Sequence, residues 1–178
     1  MAHVVTVFGS STIEVDGAQY SDGVVAGGLL AEAGFTVATG GYGGLMEAAS
    51  KGAAERGGEV IGVTVPSVFA DRTGANDFVT REIAAPSLME RVEVLTDLAA
   101  GFLVFPGSLG TMTELMAAWN LNYVARFNGG DLKPVVTVGQ PWSDLVPTLA
   151  TVLATDAEML STRDSAEEAV QTLIEALG

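Results

Sequence analysis

What this 178-residue chain lacks narrows its chemistry before anything it contains. It has no cysteine, which excludes thiol nucleophiles, disulfides and thiolate metal sites. Its one histidine, His3, stands at the N-terminus as a strand-flanking polar residue, so a Ser-His-Asp triad and a multi-histidine metal centre are out of reach. Its only lysines are Lys51 and Lys133, and neither ends an apolar strand where a Schiff-base lysine would be desolvated. Basic residues are scarce: 8 Lys and Arg against 22 Asp and Glu leave a net charge of −14. Such a surface repels polyanions, so neither a nucleic-acid polymer nor an acidic membrane is an expected partner. No apolar run approaches the ~20 residues of a bilayer span. No basic segment precedes the first apolar stretch as it would in a secretory signal, and the cytoplasm is the expected compartment. Carboxylates, arginine, hydroxyls and backbone remain for whatever chemistry occurs.

What the chain does contain is glycine, at 22 positions, within a composition that is 48% hydrophobic. The length suits one domain with a proper core. Val4 to Phe8 reads as a first strand, followed by the small polar turn Gly9-Ser10-Ser11-Thr12. Ala18 to Ala33 has helical spacing, with Val24, Val25, Leu29 and Leu30 as the expected inward stripe and Gly34 as its stop. A strand over Phe35 to Ala38 leads into the glycine loop Gly40-Gly41-Tyr42-Gly43-Gly44 and a helix from Met46 to Arg56. Val60 to Val65 is a third strand, Ser67 to Asn76 an aperiodic surface loop, and Phe78 to Ile83 a weakly alternating strand. Pro86 to Leu98 reads as a helix with Leu88, Met89, Val92, Leu95 and Leu98 on one face and Arg91 offset from it. Phe102 to Phe105 is a buried strand, Gly110 to Tyr123 a helix, Pro134 to Val138 a strand, and Trp142 to Leu153 and Ser165 to Leu177 helices. Strands and helices alternating this way predict an α/β fold, a Rossmann-like doubly wound and mainly parallel sheet with helices on both faces, as a single domain over residues 1–178. The turns after Phe8, Ala38 and Phe105 then share the carboxyl edge of that sheet, where such folds bind ligands.

The third turn, Pro106-Gly107-Ser108-Leu109-Gly110-Thr111-Met112-Thr113-Glu114, is the most specific. Unpaired amides and the dipole at a helix N-terminus favour an anion, so the stretch reads as a phosphate cradle with Glu114 one helical turn behind it. Gly107, Ser108, Gly110, Thr111 and Thr113 are its candidate contacts, with Gly9 and Ser10 from the first turn and Gly41, Gly43, Gly44 and Glu47 from the second. Glu47 either faces a sugar or caps its helix. Neither the dinucleotide glycine fingerprint nor the Walker pattern is present. No carboxylate cluster has metal-ligand spacing, so neither metal nor cofactor is expected. Trp119, Met116 and Leu115 are spaced as an apolar helix face belonging to core or interface.

These residues resemble the Pro-Gly-Gly-x-Gly-Thr-x-x-Glu motif of the LOG-like proteins, historically labelled possible lysine decarboxylases. The resemblance extends to Phe8-Gly9-Ser10-Ser11, to Gly40 through Ala49, to Arg91 and to Lys133-Pro134-Val135-Val136. It implies hydrolysis of a nucleoside 5′-monophosphate to free base and ribose 5-phosphate, with Arg91 and Glu114 as the catalytic pair. It also implies a phosphate held by Gly107, Gly110 and Thr111, and a homodimer. A small phosphorylated nucleotide is the expected partner. The sequence departs from the pattern at Ser108, Val92 and Ala100, and at Leu121 and Tyr123 on the following helix. A non-catalytic carrier of a nucleotide or molybdenum-cofactor-type ligand on the same fold is the alternative.

Overall fold

A computed structural model describes residues 3–69 and 74–178. Seven strands form one parallel sheet in the order β4-β3-β2-β1-β5-β6-β7. In chain order they are β1 (Val4–Phe8), β2 (Thr36–Thr39), β3 (Val60–Thr64), β4 (Arg81–Ala84), β5 (Gly101–Val104), β6 (Val135–Val138) and β7 (Ser161–Arg163). The helices are α1 (Ala18–Glu32), α2 (Leu45–Glu55), α3 (Leu88–Leu98), α4 (Leu109–Asn128), α5 (Trp142–Val152) and α6 (Ala166–Leu177). The chain winds outward from β1 through β2 and β3 to β4, then returns to lay β5 on the other side of β1. The winding therefore reverses between β1 and β5, and their carboxyl ends flank the crevice that such a reversal opens.

Because side chains alternate across a strand, a sheet covered on both faces has two cores. Val5 and Val7 of β1, Val37, Val60, Leu103 and Val136 face α1, α2 and α6. Phe8, Ala38, Ile61, Val63, Phe102, Val104 and Val135 face α3, α4 and α5. Thr6 sits on this second face with its hydroxyl donating to the Leu95 carbonyl at 3.0 Å, so a buried polar group there is satisfied.

Three readings need correction, and two short elements are added. In α1 the buried positions are Tyr20, Gly23, Ala26, Gly27, Gly28 and Leu30, while Val24, Val25 and Leu29 are only half-buried. The reason is backbone contact with α2: a Cβ on Gly27 would lie 2.0 Å from the Ala49 oxygen, and one on Gly52 would lie 1.9 Å from the Val24 oxygen. Leu88 and Met89 are 44% and 69% exposed, because the first turn of α3 lies at the carboxyl edge of the sheet and turns Arg91 inward instead. The helix after the third glycine turn continues past Tyr123 to Asn128, ending where Gly129 adopts φ +68°. The edge strand β7 and the 3₁₀ turn Ala157–Met159 carry too short a pattern to have been read from the chain. Of the expected loop over Ser67 to Asn76, residues 70–73 lie outside the described residues.

Candidate functional site

The crevice between β1 and β5 holds a cavity of about 190 Å³. Its floor is Val7 and Phe8 of β1, with Gly9 and Ser11 at one rim; Gly40, Tyr42 and Met46 come from the second glycine loop and α2. Arg91 enters from α3, Phe69 from the segment after β3, and Ser108, Gly110, Thr111 and Glu114 from the opening of α4. Five separate stretches thus converge, each placed by a strand's carboxyl end or the helix that follows it.

Glu114 is the chemically unusual group. It is 8% exposed, and burial raises its pKa from the ordinary 4.5 to about 7 even though the Arg91 charge opposes the rise. Arg91 Nη1 lies 3.7 Å from Glu114 Oε1, a loose pairing between two largely buried side chains. The guanidinium is held from other sides: Nε donates to the Val63 carbonyl at 2.9 Å, and Nη2 approaches Met46 Sδ at 3.5 Å. Its carbon stands 6.0 Å above the ring of Tyr42, whose hydroxyl accepts from the Val65 amide at 2.7 Å. Phe69 meets Tyr42 edge-on at 5.3 Å. Gly40 makes this arrangement possible, since a Cβ there would fall 1.5 Å from Arg91 Nη2. The order of contacts runs from the aromatic pair through Arg91 to Glu114, and from there back along α4 to Thr111 and Ser108.

At the α4 end the N-cap is Ser108, whose side chain makes no capping hydrogen bond. Its φ of −100° and ψ of −161° are ordinary extended values, so serine sits without strain where the resemblance leads one to expect glycine. The amides of residues 107–111 donate to no other backbone group among the described residues, which leaves a run of donors for an anion. Gly107 lies against Thr111, with a hypothetical Cβ only 2.1 Å from Thr111 Oγ1.

Of the residues singled out from the sequence, Gly9, Arg91, Ser108, Gly110, Thr111 and Glu114 line the cavity. Ser10 lies behind the rim, its carbonyl accepting from Leu45 N at 2.9 Å. Gly41 and Gly44 supply positive φ for the loop, at +77° and +71°, and Gly43 sits beside Glu47. Thr113 turns back on its own helix to donate to the Leu109 carbonyl at 2.9 Å. Glu47 stands in the first turn of α2, where its carboxylate accepts from the Tyr20 hydroxyl at 2.9 Å. Ser11, Gly40, Tyr42, Met46 and Phe69 are additional lining residues. Tyr42, inside a glycine loop, was the one with a legible signal. Leu115 and Trp119 belong to the core with Met116 packed against it, as their spacing implied. Among the described residues no group of three His, Cys, Asp or Glu could hold a metal ion, and no helix is long and apolar enough to cross a membrane.

A family model described as "Possible lysine decarboxylase", the label carried by the LOG-like proteins, matches residues 46–173. The chain belongs to that family. A "Cytokinin riboside 5'-monophosphate phosphoribohydrolase" of Mycobacterium tuberculosis is 32% identical over 117 residues, covering 65% of this chain and 59% of the relative. The chain thus spans under two thirds of the length of that LOG-like relative. A "Pyrimidine/purine nucleotide 5'-monophosphate nucleosidase" of Escherichia coli is 36% identical over 80 residues, or 41% of this chain and 17% of the relative. Among solved structures, the molybdenum cofactor binding protein of Rippkaea orientalis superposes with a TM-score of 0.78 at 21% identity, covering 100% of this chain and 99% of that one. At that identity the likeness shows the Rossmann-like fold alone.

Proposed function

We propose that this protein is a nucleoside 5′-monophosphate phosphoribohydrolase. It would hydrolyse the N-glycosidic bond to give free base and ribose 5-phosphate. The carrying observation is Glu114: a carboxyl buried beside Arg91, with a pKa of about 7, at the inner end of a cavity that opens onto the first amides of α4. Relatives named as hydrolases of nucleoside monophosphates support the reading.

The phosphate would take the unpaired amides from Gly107 to Thr111 and the Ser108 hydroxyl. The sugar would then lie over Glu114 and Arg91, with the base toward Tyr42 and Phe69. As the C1′–N bond lengthens, positive charge grows on the sugar ring, and an ionised Glu114 would stabilise it or take the proton of the attacking water. Water supplies the new C1′–O bond, and the departing base leaves with the bonding pair and a proton. Arg91 stays protonated and would hold the ribose or the base as it leaves. A carboxyl that titrates near 7 can change protonation state within such a cycle.

The test is incubation of purified protein with AMP and a panel of other nucleoside monophosphates, with free base and ribose 5-phosphate separated by chromatography. Release by the wild type and none by Glu114→Gln is the expected result. Binding of a monophosphate without release of base would replace the enzyme by a carrier. We further propose a homodimer acting in the cytoplasm, where nucleoside monophosphates are metabolised. Leu121, Val124 and Phe127 expose 46%, 47% and 71% of their surface on the outside of α4, which supports pairing through that helix. Light scattering on the wild type and on Phe127→Glu checks it, with the variant expected to be monomeric.

A further inference from the structure

The first turn of α1 reaches the anion-binding turn from outside the cavity. Gln19, its second residue, donates from Nε2 to the Pro106 carbonyl at 3.0 Å. The same oxygen accepts from Ser10 N at 3.3 Å, the longer of the two contacts. The next residue, Tyr20, is 4% exposed and donates to Glu47, which fastens the same turn of α1 to the start of α2. Side chains adjacent in sequence therefore tie down two of the three glycine loops.

The Pro106 oxygen matters because of peptide geometry. In a planar trans peptide the carbonyl of one residue and the N–H of the next lie in one plane and point in opposite directions. The Pro106–Gly107 bond is trans, the only cis bond among the described residues being Gln140–Pro141. Gln19, gripping the Pro106 oxygen from α1, therefore holds the Gly107 N–H aimed away from α1. That N–H has no backbone acceptor among the described residues and begins the run of free amides that opens α4. Among the described residues no other side chain hydrogen-bonds this peptide: Ser108 makes no capping bond, and Thr111 meets Gly107 through packing.

We infer that Gln19 is a positioning residue for the substrate's phosphate, aligning the Gly107 amide with those of α4 while remaining outside the cavity. This rests on the nucleotide reading of the site. It predicts a separation of effects: Gln19 governs how tightly a phosphoryl group is held, and the Arg91–Glu114 pair governs cleavage of the glycosidic bond.

The experiment uses the full chain as wild type, Gln19→Leu, Gln19→Glu and, as a remote control, Gln171→Leu on α6, where the side chain donates to Glu175 at 2.9 Å. Inorganic phosphate is titrated by calorimetry, kcat and KM are measured with AMP, and the Gly107 amide resonance is followed by NMR. Gln19→Leu is expected to weaken phosphate binding and raise KM by roughly 3- to 10-fold, the worth of one hydrogen bond, with kcat close to the wild-type value. Its Gly107 resonance should be displaced before phosphate is added and respond less to it. Gln19→Glu, which keeps the size but sets an acceptor against the carbonyl, should raise KM at least as far, and serves if the leucine variant does not fold. Unchanged phosphate affinity and KM in a folded Gln19 variant would overturn this inference alone, as would a fall in kcat equal to the rise in KM. A wild type that binds neither phosphate nor AMP would overturn the nucleotide reading, and this inference with it.

Discussion

Glu114→Gln should make the protein more stable as it makes it inactive, and the size of the gain should depend on pH. The carboxyl titrates near 4.5 in an unfolded chain and near 7 in the native site, burial outweighing the pull of Arg91. Between those values the native state binds more protons than the unfolded one, so this group's effect is to lower stability as pH rises through the window. Below about 4.5 both states are protonated and the cost vanishes; above about 7 it is complete. At about 1.4 kcal/mol per pKa unit, moving from 4.5 to about 7 costs about 3 kcal/mol. Glutamine keeps the shape and is neutral at every pH. The variant should therefore match the wild type near pH 4.5 and exceed it by up to about 3 kcal/mol at pH 8. For a domain of this length that is a rise in Tm of roughly 6–12 °C. Urea unfolding of both proteins at several pH values measures it, and every other carboxylate cancels in the difference. A pH-independent difference, or a variant less stable than wild type at pH 8, would show that Arg91 keeps Glu114 ionised well below neutrality. The proton-holding role would then be wrong.

Arg91→Met should leave burial unopposed, moving the Glu114 titration above 7 in a carbon-detected NMR experiment, and should lower base release by roughly 10²-fold. Gly27→Ala places a methyl 2.0 Å from the Ala49 carbonyl, so α1 and α2 must separate; a loss of about 1–3 kcal/mol in urea unfolding is expected, with the AMP affinity of the remaining folded protein retained. Ser108→Ala removes a hydroxyl that caps nothing, so its stability should stay within about 0.5 kcal/mol of wild type. If that hydroxyl meets the phosphate, calorimetry should show inorganic phosphate bound roughly 3-fold more weakly.

The alternation of β-branched runs with helical spacing and the turns between them determined the parallel α/β architecture from the sequence alone. The reason is that these signals are local: a strand buried on both faces must be apolar throughout, and a turn after it must tolerate close approach. By the same local logic the turn around Gly107 and Gly110 was legible as the start of a helix whose first amides lack backbone partners, with Glu114 one turn further in. Arg91 entered through a family resemblance, because a lone arginine on a helix carries no local mark of where it points. What only the tertiary structure decided are relations between distant segments. The sheet order put β1 beside β5 and so created the cavity. Backbone contact between α1 and α2 turned a predicted valine and leucine stripe into a glycine and alanine seam. Met46, Tyr42 and Phe69 became walls of the site, and Gln19 came within 3.0 Å of Pro106, 87 positions away. The pKa of Glu114 belongs here too, since desolvation depends on everything packed around a carboxyl and nothing adjacent in sequence encodes it.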